Sequence, residues 1–157
     1  MDGDTIKIIR DRLREIQRRL GWSQKNDVQC CGVTMAQCHA LLEIGKRGKA
    51  SIVELADTLG IDTSTLSRTI DHLYKSGVVD RVLNPQDRRY VTLSLTDRGN
   101  TAFQTIEESF NSYMSRVFAL IEKDKHHQII ESLELIASAI ERCNREFPCC
   151  GSPETEQ

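Results

Sequence analysis

The side chains best suited to chemistry in this 157-residue chain are six cysteines, and their spacing is uneven. Cys30-Cys31 and Cys149-Cys150 are adjacent pairs in stretches that read as loop, whereas Cys38 and Cys143 fall within helical patterns. Thiolate sulfur is soft and polarisable, so it selects Zn, Cu(I) and thiophilic ions such as Cd, Hg and trivalent arsenic over hard cations. Structural zinc takes its sulfurs from Cys-x2-4-Cys knuckles, which adjacent cysteines imitate poorly. Trivalent arsenic takes two or three sulfurs in a pyramid, and mercury is satisfied by two. The expected ligands are therefore Cys30 and Cys31 with a further thiolate, with As(III) the best match ahead of Hg(II), Cd(II), Cu(I) and Zn(II). Cys38 lies close enough to contribute, although by default it is a buried core residue, and Cys143 likewise reads as core. Oxidation is the competing chemistry, since one activated thiol and a resolving partner suffice to sense an oxidant. Two pairs exceed that need. In a reducing compartment a disulfide framework is not expected, and a thiol oxidoreductase lacks its Cys-x-x-Cys in a βαβ setting. No organic cofactor is implied.

A second set of residues has the chemistry of nucleic-acid contact. Ser64, Thr65, Ser67, Arg68, His72 and Lys75 share the polar face of one short helical pattern, with the hydroxyls near its N-terminus. Such a face suits a major groove, where hydroxyls and Arg meet base edges and phosphates. A solvated surface helix would carry similar residues. Asp87, Arg88 and Arg89 stand at a turn between two apolar-alternating segments. Basic side chains on a rigid tip enter a narrow minor groove, where the negative potential is enhanced. A polar solvated turn is the plain alternative.

The elements that position these residues make the nucleic-acid reading the stronger one. Ile52, Leu55, Ala56 and Leu59 form one apolar helix face, Gly60 supplies a tight turn, and Asp62 stands where an N-cap belongs. Leu66, Ile70 and Leu73 carry the next stripe, and Gly77 closes that helix as a C′ residue. Val78, Val79, Val82 and Leu83 then precede the tip, and Val91, Leu93 and Leu95 alternate with Thr92, Ser94 and Thr96 in period two, which predicts a hairpin. Helix, turn, helix and wing thus fit between Ser51 and Thr96. Upstream, Thr34-Met35-Ala36-Gln37 reads as a capping box. Cys30 and Cys31 would lie just before that helix N-terminus, whose partial positive charge favours thiolate.

The segments Val53-Glu54-Leu55-Ala56, Thr65-Leu66-Ser67-Arg68-Thr69-Ile70, Leu73 to Val79, Asp87-Arg88-Arg89 and Leu93 to Gly99 together resemble the winged helix of the MarR family of bacterial transcriptional regulators. The similarity extends to the flanking helices. It implies an obligate homodimer on pseudo-palindromic double-stranded DNA that responds to a small ligand or to thiol chemistry. By position, Asp87 inherits the role of steadying Arg89, which reaches the minor groove. The resemblance also implies that the N- and C-terminal segments pack together in a dimer layer, where Cys30 and Cys31 would share an ion with Cys149 or Cys150. Some members sense hydroperoxides through thiols, which keeps the redox alternative open.

Composition and the remaining pattern agree with such a fold, mostly α with a small β-hairpin wing. The formal charge of −2 is not that of a non-specific nucleic-acid binder. Residues 46–98, however, hold nine Lys or Arg against seven Asp or Glu, whereas 99–157 hold five against ten. No run is apolar enough to span a bilayer, and Met1-Asp2-Gly3-Asp4 does not resemble a signal peptide, so a cytoplasmic protein without membrane partners is expected.

The first helix is predicted from Thr5 to about Leu20, with Ile6, Ile9, Leu13, Ile16 and Leu20 at seam spacing and a face dense in Arg10, Arg12, Arg14, Arg18 and Arg19. Asp97 is expected to cap a long helix with Phe103, Ile106, Phe110, Tyr113, Val117 and Leu120 on its seam. Leu133, Ile136, Ile140, Cys143 and Phe147 continue the pattern in a last helix, ended by Pro148. His126 and His127 read as an exposed pair at its start, and His39 as a surface or pocket side chain. The organisation is thus a single domain over 1–157: dimerisation helices at 1–30 and 100–148, a winged helix-turn-helix lobe at 34–97, and a polar tail at 149–157. The expected function is a DNA-binding regulator, not an enzyme, most simply a repressor released by a thiophilic metal or metalloid. A winged helix used only for protein contacts is the option that the wing motif disfavours.

Overall fold

The computed structural model describes residues 2–31, 34–83 and 91–147, the side chains of 21–31 and 83 excepted. Its elements run α1 (Gly3–Cys31), α2 (Met35–Arg47), β1 (Ala50–Ser51), α3 (Ile52–Leu59), α4 (Thr63–Lys75), β2 (Val79–Leu83), β3 (Val91–Leu95), α5 (Asp97–Ala119), a 3-10 turn (Lys123–Lys125) and α6 (His126–Glu146). The fold is mostly helical with one small antiparallel sheet, a winged helix. Two compact units divide it, 1–111 and 112–157, with the boundary inside α5. No helix among the described residues is long and apolar enough to cross a membrane.

Local chemistry explains where the helices start and stop. Thr34 caps α2 in a reciprocal capping box with Gln37, as its sequence predicts, and Ser51 does the same for α3 with Glu54. Gly60, in the left-handed region at φ 63°, ends α3 and turns the chain within three residues into α4, whose N-cap is Asp62. Two expectations fail here. α1 does not end near Leu20: its backbone stays helical to Cys31, because a lone Gly21 costs only about 1 kcal/mol against Ala and no proline follows before Cys31. Asp97 is the first residue of α5 and not its cap. The Thr96 hydroxyl accepts the Gly99 N–H at 3.0 Å instead.

The core belongs to the 1–111 unit. Leu66, Ile70 and Leu73 of α4 pack with Cys38, Ala40, Leu41 and Ile44 of α2, Leu55 and Ala56 of α3, and Ala50, Val78, Val79, Leu93 and Ile106. Each large aliphatic buried this way contributes about 1.5–3 kcal/mol relative to exposure. The hairpin is a three-stranded sheet of order β1-β3-β2, with Ala50 opposite Leu93 and Val79 opposite Leu95. β1, two residues long, was not foreseen. Gly45 admits the Phe103 ring of α5 so closely that a Cβ there would lie 2.4 Å from it.

In the 112–157 unit no described residue of α6 is buried. Leu133, Ile136 and Ile140 are 53%, 37% and 49% exposed, and Cys143 lies exposed beside them, so it is not a core residue of the single chain. Leu120 falls beyond the end of α5 and is exposed, because that helix stops at Ala119. Ile6, Ile9 and Ile16 of α1 are likewise exposed. His126 departs from the exposed pair expected: half-buried, its Nε2 sits 3.1 Å from both the Phe118 and Ile121 carbonyls, with its ring edge-on to Phe118. That geometry places the proton on Nε2, shared between the Phe118 carbonyl, which also accepts the Ile121 N–H, and the Ile121 carbonyl just past the end of α5. His127 and His39 are exposed.

Candidate nucleic-acid interface

α4 buries Leu66, Ile70 and Leu73 and turns the opposite face outward. Ser64, Thr65, Arg68, His72 and Lys75 are exposed on it, and Ser67 is half-buried at its flank. Arg68 and Lys75 form no ion pair among the described residues, so their charges are uncommitted. The first turn is more constrained. Asp62 accepts the Thr65 N–H at 2.8 Å and the Ser64 hydroxyl proton. These bonds, from the Ser64 hydroxyl first and then from Thr65, hold the Asp62 carboxyl well below the usual carboxylate range. Ser64 has therefore committed its proton and meets an outside group as an acceptor. A cytosine or adenine amino group would suit it.

Arg81, which the sequence reading passed over, fixes the sheet to this helix. Cross-strand partners share a face, and Arg81 stands opposite the fully buried Leu93, so it points inward with Val79 while Val82 points out and is exposed. Its guanidinium pairs with Asp71 of α4 and lies 5.3 Å from the centre of the Tyr74 ring. Its Nε is buried without a hydrogen-bond partner among the described residues. Counting by twos from Val79 would have identified the inward position.

The end of α4 is held from the other side by the start of α5. Arg98 donates to the Ser76 carbonyl at 3.0 Å, the Thr96 hydroxyl donates to Gly77 O at 2.8 Å, and the Thr96 N–H donates to Val78 O at 3.2 Å. Gly77, at φ 71°, is the C′ glycine expected.

Several sequence-predicted site residues lie outside the described ones: Asp87, Arg88 and Arg89 of the wing, and Cys149 and Cys150. The side chains of Cys30 and Cys31 do too. Their backbone nevertheless alters one inference, because they occupy the last turn of α1, where the helix carries partial negative charge. The thiolate-favouring end of α2 is not their only helical neighbour. Cys38 is buried in the α2 layer of the core. Among the described residues no group of three His, Cys, Asp or Glu side chains is placed to hold a metal ion.

Comparison with known proteins adds an independent line. Residues 33–91 match the model of the MarR family. The transcriptional repressor MdtR of Bacillus subtilis is 28% identical over 110 residues, 70% of this chain and 71% of its own. Among solved structures, the transcriptional repressor CouR bound to a 23-mer DNA duplex superposes with a TM-score of 0.75 at 26% identity, covering 86% of this chain and 96% of that one. Streptococcus pneumoniae FabT in complex with DNA shares the fold at a TM-score of 0.77, with 18% identity, over 87% of this chain and 98% of its own.

Proposed function

We infer that this MarR-family chain is a homodimeric transcriptional regulator, most simply a repressor, that binds double-stranded operator DNA and has no enzymatic role. The observation that carries the reading is the exposed polar face of α4, whose Arg68 and Lys75 form no ion pair among the described residues, backed by a buried stripe and braced on both sides. In the major groove Thr65, Ser67 and Arg68 meet base edges, Ser64 accepts from an exocyclic amine, and Lys75 meets phosphate. Arg88 and Arg89 of the wing enter the minor groove, with Asp87 orienting Arg89. The repressor MdtR and the DNA-bound CouR and FabT support this assignment.

The exposed apolar stripes of α1 and α6 are the surface through which two copies pair in the cytoplasm. Pairing sets two recognition helices about 34 Å apart, one turn of DNA. The effector proposed is a thiophilic ion, As(III) before Hg(II), Cd(II), Cu(I) or Zn(II), bound by Cys30 and Cys31 with Cys149 or Cys150. Buried Cys38 is a lesser donor. This part rests on the number, pairing and softness of the thiols and on no favourable helix end.

A gel shift against the DNA upstream of the protein's own reading frame tests the DNA assignment. Arg89→Ala should weaken binding by about 1–3 kcal/mol, and an unaltered affinity would remove the wing from the interface. As(III) added to the complex of reduced protein should weaken binding roughly 5–150-fold, the range of an ordinary coupling of about 1–3 kcal/mol. Cys30→Ser/Cys31→Ser should bind DNA and ignore the ion. Release of that variant at wild-type concentrations would eliminate the proposed thiol site.

A further inference from the structure

We propose that the first turn of α5 is the joint that sets the angle of the recognition helix, with Arg98 and Thr96 as positioning residues for operator spacing. The inference rests on the DNA-binding reading above and adds residues that touch no part of the polar face of α4.

A helix ends with open carbonyls, and those of a surface helix are ordinarily left to water. Here three successive carbonyls after α4, those of Ser76, Gly77 and Val78, each receive a separate donor from two residues at the start of α5. Thr96 supplies two of these donors while its oxygen also caps α5 by accepting the Gly99 N–H. One hydroxyl therefore links the end of one helix to the beginning of the next. Gly99 brings the backbones so near that any Cβ there would stand 1.9 Å from Val78 O.

Arg98 is exposed and forms no ion pair among the described residues, yet its guanidinium is spent on a backbone carbonyl at the negative end of α4. A solvated arginine gains little stability there. What the bond does fix is direction: Arg81 and Asp71 hold α4 to the sheet from one side, and Arg98 and Thr96 hold its last turn to α5 from the other. α5 then runs on to Ala119. Two recognition helices meet successive major grooves only if each protomer presents its helix at a fixed angle, so loosening the joint lets one dimer fit several half-site separations.

The test uses the full-length dimer and duplexes that the wild-type protein selects from a randomised library, rebuilt with one or two base pairs inserted or deleted between half-sites. For wild type a one-base-pair change should cost at least about tenfold in affinity, and for Arg98→Ala about threefold or less, against the usual scale of one mismatched pair. Circular dichroism and dimer mass should be unchanged, and binding at the preferred spacing nearly so. Arg98→Lys, which keeps a donor, should restore the sharp optimum, and Thr96→Val should broaden it as Arg98→Ala does. The proposal is overturned if Arg98→Ala gives a spacing profile parallel to wild type, whether its overall affinity is normal or uniformly lower. If Thr96→Val does not fold, the Arg98 pair decides. Should wild type select no duplex, the DNA-binding reading itself fails, a result distinct from a parallel profile.

Discussion

Replacing Gly99 by alanine sets two opposed effects against each other at one position. Alanine favours a helix by about 0.8–1 kcal/mol over glycine. Its Cβ, however, would lie 1.9 Å from Val78 O and 3.0 Å from Val78 C, both backbone atoms that no rotamer change removes. An ordinary carbon–oxygen approach begins near about 3.3 Å, so the start of α5 must retreat by about 1.4 Å. That retreat stretches the bonds from Thr96 N–H to Val78 O, from the Thr96 hydroxyl to Gly77 O and from Arg98 to Ser76 O. Overpacking costs about 1–3 kcal/mol and each weakened hydrogen bond about 1 more. After the helical gain is set against these, a net loss of about 3–5 kcal/mol remains. At roughly 2–4 °C per kcal/mol for a chain of this size, Tm should fall by about 6–20 °C. Thermal melts followed by circular dichroism, at one protomer concentration because association shifts Tm, measure it. Gly45→Ala is the graded comparison: its clash is with the Phe103 ring, a side chain able to turn, so its loss should be smaller. Gly3→Ala, in α1, meets nothing within 4 Å and is the clash-free control, which should not lower Tm. Melting of Gly99→Ala at or above the wild-type temperature would refute the close seating of α5 on the turn after α4.

Acid should expose the Asp62 cap. Its folded pKa lies below the ordinary aspartate value of 3.8, so its stabilisation is complete above that value and is lost as pH falls through the folded one. Asp62→Asn, an equally good cap without a proton to gain, should match wild type at neutral pH and lose less stability toward pH 2 in urea titrations. Identical acid profiles would exclude the cap as a source of the pH dependence. For the Arg81 clamp, a double-mutant cycle of Arg81→Met with Asp71→Asn should return a coupling of about 0.5–1 kcal/mol, the range of a partly exposed pair. Zero coupling would mean the two charges act independently. Ile140→Glu, on the exposed stripe of α6, should yield monomer or insoluble protein by light scattering. A soluble dimer would place the pairing surface elsewhere.

Much of the winged-helix lobe was legible because its determinants are local. The 3,4 spacing of Leu66, Ile70 and Leu73, the caps at Thr34 and Asp62, and Gly60 and Gly77 each act within one or two turns, where sequence order and spatial order coincide. What escaped notice is long-range. β1 is only Ala50-Ser51 and exists through pairing with Leu93 and Thr92, and the Asp71–Arg81 and Arg98–Ser76 bonds join residues with no periodic relation. α1 runs past the end near Leu20 that its seam spacing predicts, because a helix interior tolerates one glycine, Gly21. The exposure of Cys143 shows the limit of periodicity, which reports that a face is apolar and not which surface covers it. The exposed polar face of α4 was identifiable by type and position. The cysteine pairs rest on chemistry alone, since their side chains and the wing tip fall outside the described residues.

The order of the sheet has a consequence for how the protein behaves when crowded. With β3 in the middle, the strands at the rims are β1, too brief at two residues to template another chain, and β2, whose five residues include Asp80 and Arg81. A rim strand adds a foreign strand when it is long, flat and apolar, and neither qualifies. Self-association by strand exchange is thereby discouraged at both rims. Any sticking of one copy to another is steered to its helices, where apolar side chains such as Ile6, Ile9, Leu133 and Ile140 stand exposed.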